Sequence, residues 1–506
     1  MREKTAFELA SLIRERKASS PEITRAFLDA AKADMAKPAD DPTKINAYAS
    51  IDEEAAMAQA EMVQKKIDAG EFLSPVAGVP VALKDNMCTS WGTATASSKI
   101  LGGFRAPYNA GVVSKMREAG LIFLGKTNMD EFAMGSSTET SYLGITRNPW
   151  DLSRVPGGSS GGSAAATSAG LAPFALGSDT GGSIRQPCAF TNLTGVKPTY
   201  GSVSRYGLMA YGSSLDQIGP MAKDARDAAV LLSIISGKDE RDSTSVMEEA
   251  FRVCDILHPE KTGAENTGMS GKRIGLPKNY FDQPGISQDV QACVYAAAET
   301  FRQLGATVEE FELPLIDYAV PTYLIVACAE ASSNLSRYDG VKYGYRSPAA
   351  DDIHGVYYKT RSEGFGTEVK RRIILGSFVL SSGYFDAYYK KALQVRGLIR
   401  RAFDEALTRF DMILSPTTPT VAFEIGGKIQ DPLAMYLADI FTTSVNLTGL
   451  PAVAAPCGFG EGGLPVGMQI IGRAWEDPAL LEAAAHYQRA TDWHTRRPAA
   501  MAEGAR

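Results

Sequence analysis

The sequence predicts an α/β fold in which helices cover both faces of a central β-sheet. Short apolar segments with the length of buried strands occur at 79–83, 121–125, 172–177 and 411–415. Segments with a helical apolar pattern lie among them, at 226–236, 287–304 and 395–409. Strands that alternate with helices along a chain are typical of a sheet packed between two layers of helices.

The N-terminal segment, at about 1–70, is predicted to be helical. Ser20 followed by Pro21 is typical of a helix N-cap with proline at the first helical position. An alanine-rich helix is predicted from Asp52 to Ala69. It should end at Gly70, because glycine readily adopts the left-handed backbone that closes a helix.

A match to the P-loop expression at 120–127 is interpreted as a strand. The spacing of its glycines, lysine and threonine fits the phosphate-binding pattern. A phosphate-binding loop has to expose backbone N–H groups, whereas the four middle residues here are the apolar Leu-Ile-Phe-Leu. The segment therefore predicts a buried strand and no nucleotide site.

Glycine and serine are concentrated at about 75–220, the predicted catalytic core. One stretch covers 156–163 and a second covers 177–185. Such stretches are either flexible loops or turns that present a hydroxyl and free N–H groups to an oxyanion. Because each stretch adjoins ordered-looking structure, the second interpretation is favoured.

The first of these stretches also matches the nucleophile-elbow pattern of α/β-hydrolases, at Gly157–Gly161. That pattern requires a strand directly before the serine, and an acid and a histidine later in the chain. The preceding residues at 147–151 have loop character. The chain has only four histidines, and none is in a glycine-rich or apolar setting, at positions 258, 354, 486 and 494. A Ser-His-Asp triad is therefore not predicted.

A serine nucleophile still needs a base, and Lys84 is the candidate. It directly follows the apolar run Val79–Leu83, so a buried strand would carry its amine inward. Most lysines are solvated, but burial lowers the pKa of a lysine and provides a neutral amine near neutral pH. Serine–lysine pairs are an established variant of this chemistry.

Composition limits the classes of function. With 52 basic and 58 acidic residues, the chain has a net charge of −6 and no global basic field for nucleic acid. It has no uncharged apolar run of about 18 residues, and its charged start is unlike a secretory signal, which predicts a cytoplasmic protein without a membrane span. Six scattered cysteines predict free thiols and no metal site. The polar stretch at about 238–272 predicts an exposed insertion.

Three ordered blocks resemble the amidase signature family, namely 78–86, 157–162 and 177–185. The resemblance implies one large domain, 1–506, with a mixed central sheet. It also implies a Ser-Ser-Lys triad with Ser183 as the acyl-forming nucleophile and Lys84 as the base. Ser159 would link the two by hydrogen bonds, typically from a cis peptide. The oxyanion hole would consist of the backbone N–H groups of Thr180, Gly181, Gly182 and Ser183.

Further segments are similar to one branch of that family, the glutamine-hydrolysing chains of tRNA-dependent amidotransferases, at 197–201, 214–220, 330–337, 360–372 and 445–451. This branch hydrolyses glutamine and passes the ammonia to an aminoacyl-tRNA. The resemblance implies a heterotrimer with B and C subunits, in which partners hold the tRNA, ATP and Mg, and this chain holds no cofactor. A stand-alone amidase acting on small amides and a catalytically inactive scaffold are the alternatives.

Glutamine is a zwitterion, so its pocket needs groups for a carboxylate and an ammonium. Arginine binds carboxylates in a bidentate manner, and aspartate pairs with ammonium. By similarity these roles fall to Arg372 and Asp439, with Tyr323 lining the pocket. Alternatively, Arg372 lies on the solvated face of a helix, since it follows Lys370 and Arg371.

Overall fold

A mixed sheet forms the centre of the molecule in the computed structural model, which describes residues 1–257 and 268–499. In this part of the chain the strands are β1 Tyr48–Ile51, β2 Pro80–Lys84, β3 Ile122–Thr127, β4 Phe174–Asp179, β5 Thr194–Lys197, β6 Gln217–Ala222, β7 Arg273–Pro277, β8 Thr307–Phe311, β9 Met412–Pro416, β10 Ala452–Phe459 and β11 Pro465–Gly472. Their order in the sheet is β1-β3-β2-β4-β6-β5-β10-β11-β9-β7-β8. The strands predicted near 80, 122, 174 and 412 are confirmed.

Both parallel and antiparallel pairs occur across this sheet, which confirms the predicted mixed topology. β2 lies between β3 and β4 and runs parallel to both. β4 then pairs antiparallel with β6, and β10 pairs antiparallel with β5 and β11. Since β2 and β4 are parallel neighbours, their carboxyl ends meet at one edge of the sheet, where Lys84 and Asp179 are their last residues.

Helices pack on both faces of the sheet, as predicted. The described helices are Ala6–Arg14, Ser20–Met35, Glu53–Asp68, Gly111–Glu118, Gly161–Ser168, Arg185–Phe190, Ala225–Ile235, Cys254–Leu257, Lys278–Phe281, Gln288–Gln303, Ala319–Asn334, Ile353–Gly364, Thr367–Val379, Lys391–Arg409, Pro432–Leu437, Thr443–Thr448 and Asp477–Ala490. A Cβ at Gly467 of β11 would meet Ala189, whereas one at Gly472 would meet Leu480. Ala189 belongs to the helix Arg185–Phe190 and Leu480 to the helix Asp477–Ala490. Positions an odd number apart in a strand face opposite ways, so these two helices cover opposite faces of the sheet.

Helices make up most of the N-terminal segment, but the prediction that all of it is helical is wrong, because the strand β1 Tyr48–Ile51 lies within it. One helix cap is also displaced. Ser19, not Ser20, caps the helix: its hydroxyl accepts from the Glu22 N–H at 3.3 Å, and the Glu22 carboxylate accepts the Ser19 N–H at 2.7 Å. Ser20 is the first helical residue, and its hydroxyl donates to the Gly78 carbonyl at 2.7 Å. Ser19 is favoured over Ser20 as the cap because Ser19 and Glu22 form a capping box, which satisfies two N–H groups at once.

The alanine-rich helix begins and ends as predicted. Asp52 caps it by accepting the Ala55 N–H at 3.1 Å. Gly70 follows its last turn with a φ of +80°. The P-loop-like segment is also confirmed as a strand, since β3 covers most of it and Lys126 is buried.

The stretch at 238–272 is not uniformly exposed where it is described. Residues 258–267 lie outside the described residues. Phe251, Val253, Ile256 and Leu257 are buried and belong to the main hydrophobic core. Among the described helices, none combines the length and the apolar character that a membrane span requires.

Candidate active site

Lys84, the last residue of β2, is completely buried. Its Nζ donates to the hydroxyls of Ser159 at 2.7 Å, Ser160 at 2.8 Å and Ser178 at 2.9 Å. Burial lowers the pKa of Lys84 to about 7, although nearby aspartates oppose the shift. A side chain that exchanges its proton near neutral pH is suited to general-base catalysis.

Ser159 lies next to this amine, and its peptide bond with Gly158 is cis, as the resemblance implies. The implied hydrogen-bond link is present on the lysine side only. Among the described residues no hydrogen bond joins the hydroxyls of Ser159 and Ser183. Instead, the neighbouring Ser160 N–H donates to the Ser183 carbonyl at 3.2 Å, which connects the two segments through the backbone.

Ser183 precedes the helix Arg185–Phe190 and is 7% exposed. In the part of the chain that the structure describes, its hydroxyl has no hydrogen-bond partner. A hydroxyl that is held at a helix start but left unbonded is available to attack a substrate. The structure therefore brings Lys84, Ser159 and Ser183 to one site.

A buried ion pair fixes the loop that carries Ser183. Asp179 accepts the Gly182 N–H at 2.9 Å, the Ile184 N–H at 3.2 Å and the Arg185 Nε–H at 3.1 Å. Burial raises the pKa of Asp179, but the Arg185 guanidinium outweighs this effect and holds the pKa at about 2. The carboxylate is thus ionised at neutral pH and binds the loop through charge-assisted hydrogen bonds.

The predicted oxyanion donors differ in their availability. The Gly182 N–H already donates to Asp179. Among the described residues, the N–H groups of Thr180, Gly181 and Ser183 donate no hydrogen bond. The Thr180 hydroxyl donates to Asp216 at 2.6 Å, which fixes the start of the loop. These three free N–H groups can serve a developing oxyanion.

The two glycines of this loop are required by close approach. A Cβ at Gly181 would lie 2.6 Å from the ring of Tyr323. Gly182 has a φ of +137°, which disfavours other residues, and a Cβ there would lie 2.2 Å from Thr442 Oγ1. The same position is 3.3 Å from Asp439 Oδ1. Tyr323 and Asp439 therefore lie beside the loop that carries Ser183.

Asp439 presents an unsatisfied oxygen beside this loop. Its Oδ2 accepts the Ser136 hydroxyl at 2.5 Å, whereas its buried Oδ1 has no hydrogen-bond partner among the residues that the structure describes. Burial raises the pKa of Asp439 to about 7. Leaving a buried acceptor unpaired costs roughly 1–3 kcal/mol, so binding of a positively charged ligand group that donates to Oδ1 would be favourable.

Arg372 is 3% exposed, so the interpretation that it faces water is wrong. Its Nε donates to Glu368 at 2.7 Å and its Nη1 donates to the Tyr211 hydroxyl at 2.5 Å. It helps to line a pocket of about 240 Å³ together with Gly135 and Tyr436. Arg372 is buried because it lies on the face of the helix Thr367–Val379 that is turned toward the protein interior.

Several contributors to the site were not predicted from the sequence. Ser160 and Ser178 contact Lys84, and Arg185 holds Asp179. All of them lie inside the glycine-rich stretches, so the available signal was the stretch itself and not any one residue. Glu368 was not predicted either. Its position one helical turn before Arg372 was the available indication that the two side chains pair.

Known proteins are similar to this sequence over most of its length. A family model described as "Amidase" matches residues 22–481. The A subunit of glutamyl-tRNA(Gln) amidotransferase from Agathobacter rectalis is 52% identical, over 96% of this chain and 93% of its own length. The protein of the same name from Heliobacterium modesticaldum is also 52% identical, over 98% of both chains.

Solved structures are also similar to this chain over most of its length. The crystal structure of the A subunit of glutamyl-tRNA(Gln) amidotransferase from Thermotoga maritima is 42% identical, with a TM-score of 0.76 over 96% of this chain and 94% of that one. The native peptide amidase of Stenotrophomonas maltophilia is 29% identical, with a TM-score of 0.80 over 98% of both chains. A bacterial aryl acylamidase is 26% identical, with a TM-score of 0.81 over 97% of this chain and 96% of that one.

Proposed function

Because the chain belongs to the amidase family, we propose that it hydrolyses glutamine as the A subunit of a glutamyl-tRNA(Gln) amidotransferase. The observation that carries the proposal is the unpaired Asp439 Oδ1 beside the Gly181–Ser183 loop. Together with the buried Arg372 guanidinium, it offers a partner for each charge of an amino acid. The 52% identity to two proteins of that name supports the same conclusion.

Acylation would begin with attack of Ser183 Oγ on the side-chain amide carbon of glutamine. The hydroxyl proton moves through Ser159 to neutral Lys84, and the carbonyl oxygen becomes an oxyanion. The N–H groups of Thr180, Gly181 and Ser183 stabilise that charge. Collapse of the intermediate breaks the C–N bond, and Lys84 returns the proton so that ammonia leaves.

Deacylation would repeat the sequence with water. Lys84, again neutral, accepts a proton from the water that attacks the ester carbon. The C–O bond to Ser183 breaks, the serine regains its proton and glutamate departs. Each turnover therefore converts glutamine and water into glutamate and ammonia.

The ammonia would convert Glu-tRNA(Gln), Asp-tRNA(Asn) or both into the corresponding amidated aminoacyl-tRNA. We propose that B and C subunits complete a cytoplasmic heterotrimer, in which a partner binds the tRNA, ATP and Mg. The names of the relatives support a partner, since an A subunit belongs to an assembly. The net charge of −6 is in keeping with a partner that holds the RNA.

A stand-alone amidase is the second candidate. The TM-scores of 0.80 and 0.81 to a peptide amidase and an aryl acylamidase favour it, because they exceed the 0.76 to the Thermotoga maritima protein. Identity favours the amidotransferase instead, at 42% against 29% and 26%. A shared fold alone does not separate the two functions.

Ammonia release distinguishes these candidates. The chain should be purified alone and with co-expressed partners, and assayed with glutamine and with simple amides. A component of an amidotransferase should prefer glutamine and work faster in the complex. Faster turnover of simple amides by the isolated chain would favour the stand-alone amidase.

A further inference from the structure

Arg372 is held on two edges before any substrate arrives. Glu368 Oε1 accepts its Nε–H at 2.7 Å, and the Tyr211 hydroxyl accepts from its Nη1 at 2.5 Å. The rings of Tyr211 and Tyr436 lie 5.5 Å and 5.1 Å from the guanidinium carbon. These contacts fix both the plane of the guanidinium and its rotation within that plane.

Glu368 is itself held in place. Its Oε1 also accepts the Tyr436 hydroxyl at 2.8 Å, and its Oε2 pairs with Arg371. Burial raises the pKa of Glu368, but Arg372 and the hydrogen bonds outweigh this and leave the pKa lowered. Glu368 is therefore an ionised carboxylate with defined partners on both oxygens.

An ordinary helical ion pair does not account for this arrangement. Exposed pairs one turn apart contribute about 0.3–0.5 kcal/mol and are screened by water. Here the side chains of Arg372 and Glu368 are only 4% and 12% exposed. Both line the same pocket, so their pairing determines how the pocket presents positive charge.

The remaining donors of Arg372 point to a use. A guanidinium has five N–H groups, and the two contacts above occupy one on Nε and one on Nη1. Within the described part of the chain, one N–H on Nη1 and two on Nη2 remain without an acceptor. Two N–H groups on adjacent nitrogens are the set that grips a carboxylate in a bidentate manner.

We propose that Glu368 is a positioning residue, which orients Arg372 so that its free Nη1 and Nη2 donors meet the α-carboxylate of the substrate. This inference rests on the proposed function, because it takes glutamine as the substrate. It assigns substrate selection to a residue that touches the arginine and not the reacting atoms. Amides without an α-carboxylate gain nothing from this orientation.

The test compares Glu368→Ala and Glu368→Gln in the full chain co-expressed with its partners. Glutamine and a simple amide that lacks the α-carboxylate serve as the two substrates. Glu368→Ala should raise KM for glutamine about tenfold or more, with kcat changed less than about threefold. The kinetic constants for the simple amide should stay unchanged. Glu368→Gln keeps an acceptor for the Arg372 Nε–H and should restore most of the affinity.

Asp404→Asn is the matched control. Asp404 and Arg400 form an exposed ion pair one turn apart within the helix Lys391–Arg409, away from Glu368 in the sequence. It should leave both substrates unaffected. Either of two results would overturn this proposal and leave the proposed function intact. One is an equal loss of kcat/KM for glutamine and for the simple amide in Glu368→Ala and Glu368→Gln. The other is an unchanged KM for glutamine in Glu368→Ala. If the wild-type complex hydrolyses the simple amide but not glutamine, the proposed function is wrong and this inference with it.

Discussion

Lys84 Nζ lies 2.7 Å from Ser159 Oγ, although 75 positions separate the two residues in the chain. The same amine contacts the hydroxyls of Ser160 and Ser178. A protonated amine donates three hydrogen bonds, whereas a neutral amine donates two and offers a lone pair. The three hydroxyls therefore satisfy the protonated amine, and loss of a proton leaves a lone pair directed at a hydroxyl.

Activity should depend on pH through Lys84. Burial lowers its pKa to about 7, and only the neutral amine can accept a proton. The neutral fraction falls as the pH drops through 7, so kcat/KM for a simple amide should fall about tenfold per pH unit below that value. Lys84→Arg should be inactive, because a guanidinium keeps its proton. Lys391→Arg, at an exposed position, is the control, and substantial activity in Lys84→Arg would exclude Lys84 as the base.

Ser183→Ala should abolish glutamine hydrolysis, with a loss of roughly 10³-fold or more, because the acyl bond forms on its hydroxyl. The fold should be unaffected, since this hydroxyl has no hydrogen-bond partner among the described residues. Mass spectrometry of the trapped acyl-enzyme should locate the adduct on Ser183. Ser382→Ala, at an exposed serine, should behave as wild type. An adduct on any other residue would refute the assignment.

Gly181→Ala should reduce activity about 100-fold or more while leaving the protein folded. The added Cβ would lie 2.6 Å from the Tyr323 ring, so either the ring or the oxyanion loop has to move. Gly397→Ala adds the same methyl group where nothing lies within 4 Å and should retain full activity. Circular dichroism and ammonia release would be measured for both variants. Normal activity in Gly181→Ala would show that the loop does not need its present position.

The sequence predicted the strands that carry the site because apolar runs bounded by turn residues have few alternatives. It also indicated the inward direction of Lys84, since a residue at the end of a buried strand follows that strand. The burial of Arg372 was not decided by its own segment, where Lys370 and Arg371 suggest a solvated face. Burial there depends on Tyr211 and Tyr436, which come from distant parts of the chain. Contacts of that kind are determined by tertiary packing, which local sequence does not encode.

Asp439 should make the pH dependence for glutamine steeper than for a simple amide. Burial raises its pKa to about 7, and below that pH the carboxyl group loses the charge that pairs with an ammonium. Lys84 titrates in the same range. The slope of log kcat/KM below pH 6 should therefore approach about two for glutamine and about one for an amide without an amino group.

Asp439→Asn removes that charge at every pH. KM for glutamine should rise about tenfold or more, and its pH profile should become as shallow as that of the simple amide. Asp404→Asn again serves as the control. Identical slopes for both substrates in the wild-type protein would contradict a role of Asp439 in binding the ammonium group.

This chain and its partners should divide the overall reaction between them. Hydrolysing glutamine without an acceptor wastes it, so the isolated chain should be a poor glutaminase. Partners and charged tRNA should raise its turnover by stabilising the competent geometry of the site. The measurement is ammonia release by the isolated chain and by the assembled complex. A fully active isolated chain would contradict this dependence.

Free ammonia should replace glutamine in the complex, because the acceptor chemistry is proposed to lie on a partner. Ser183→Ala removes the only step that this chain is proposed to perform, so the variant complex should fail with glutamine. It should still amidate aminoacyl-tRNA when ammonium chloride is supplied. A variant complex that fails with ammonium, where the wild-type complex succeeds, would show that Ser183 takes part in more than glutamine hydrolysis. Failure of the wild-type complex with both donors would remove the amidotransferase assignment and leave the stand-alone amidase.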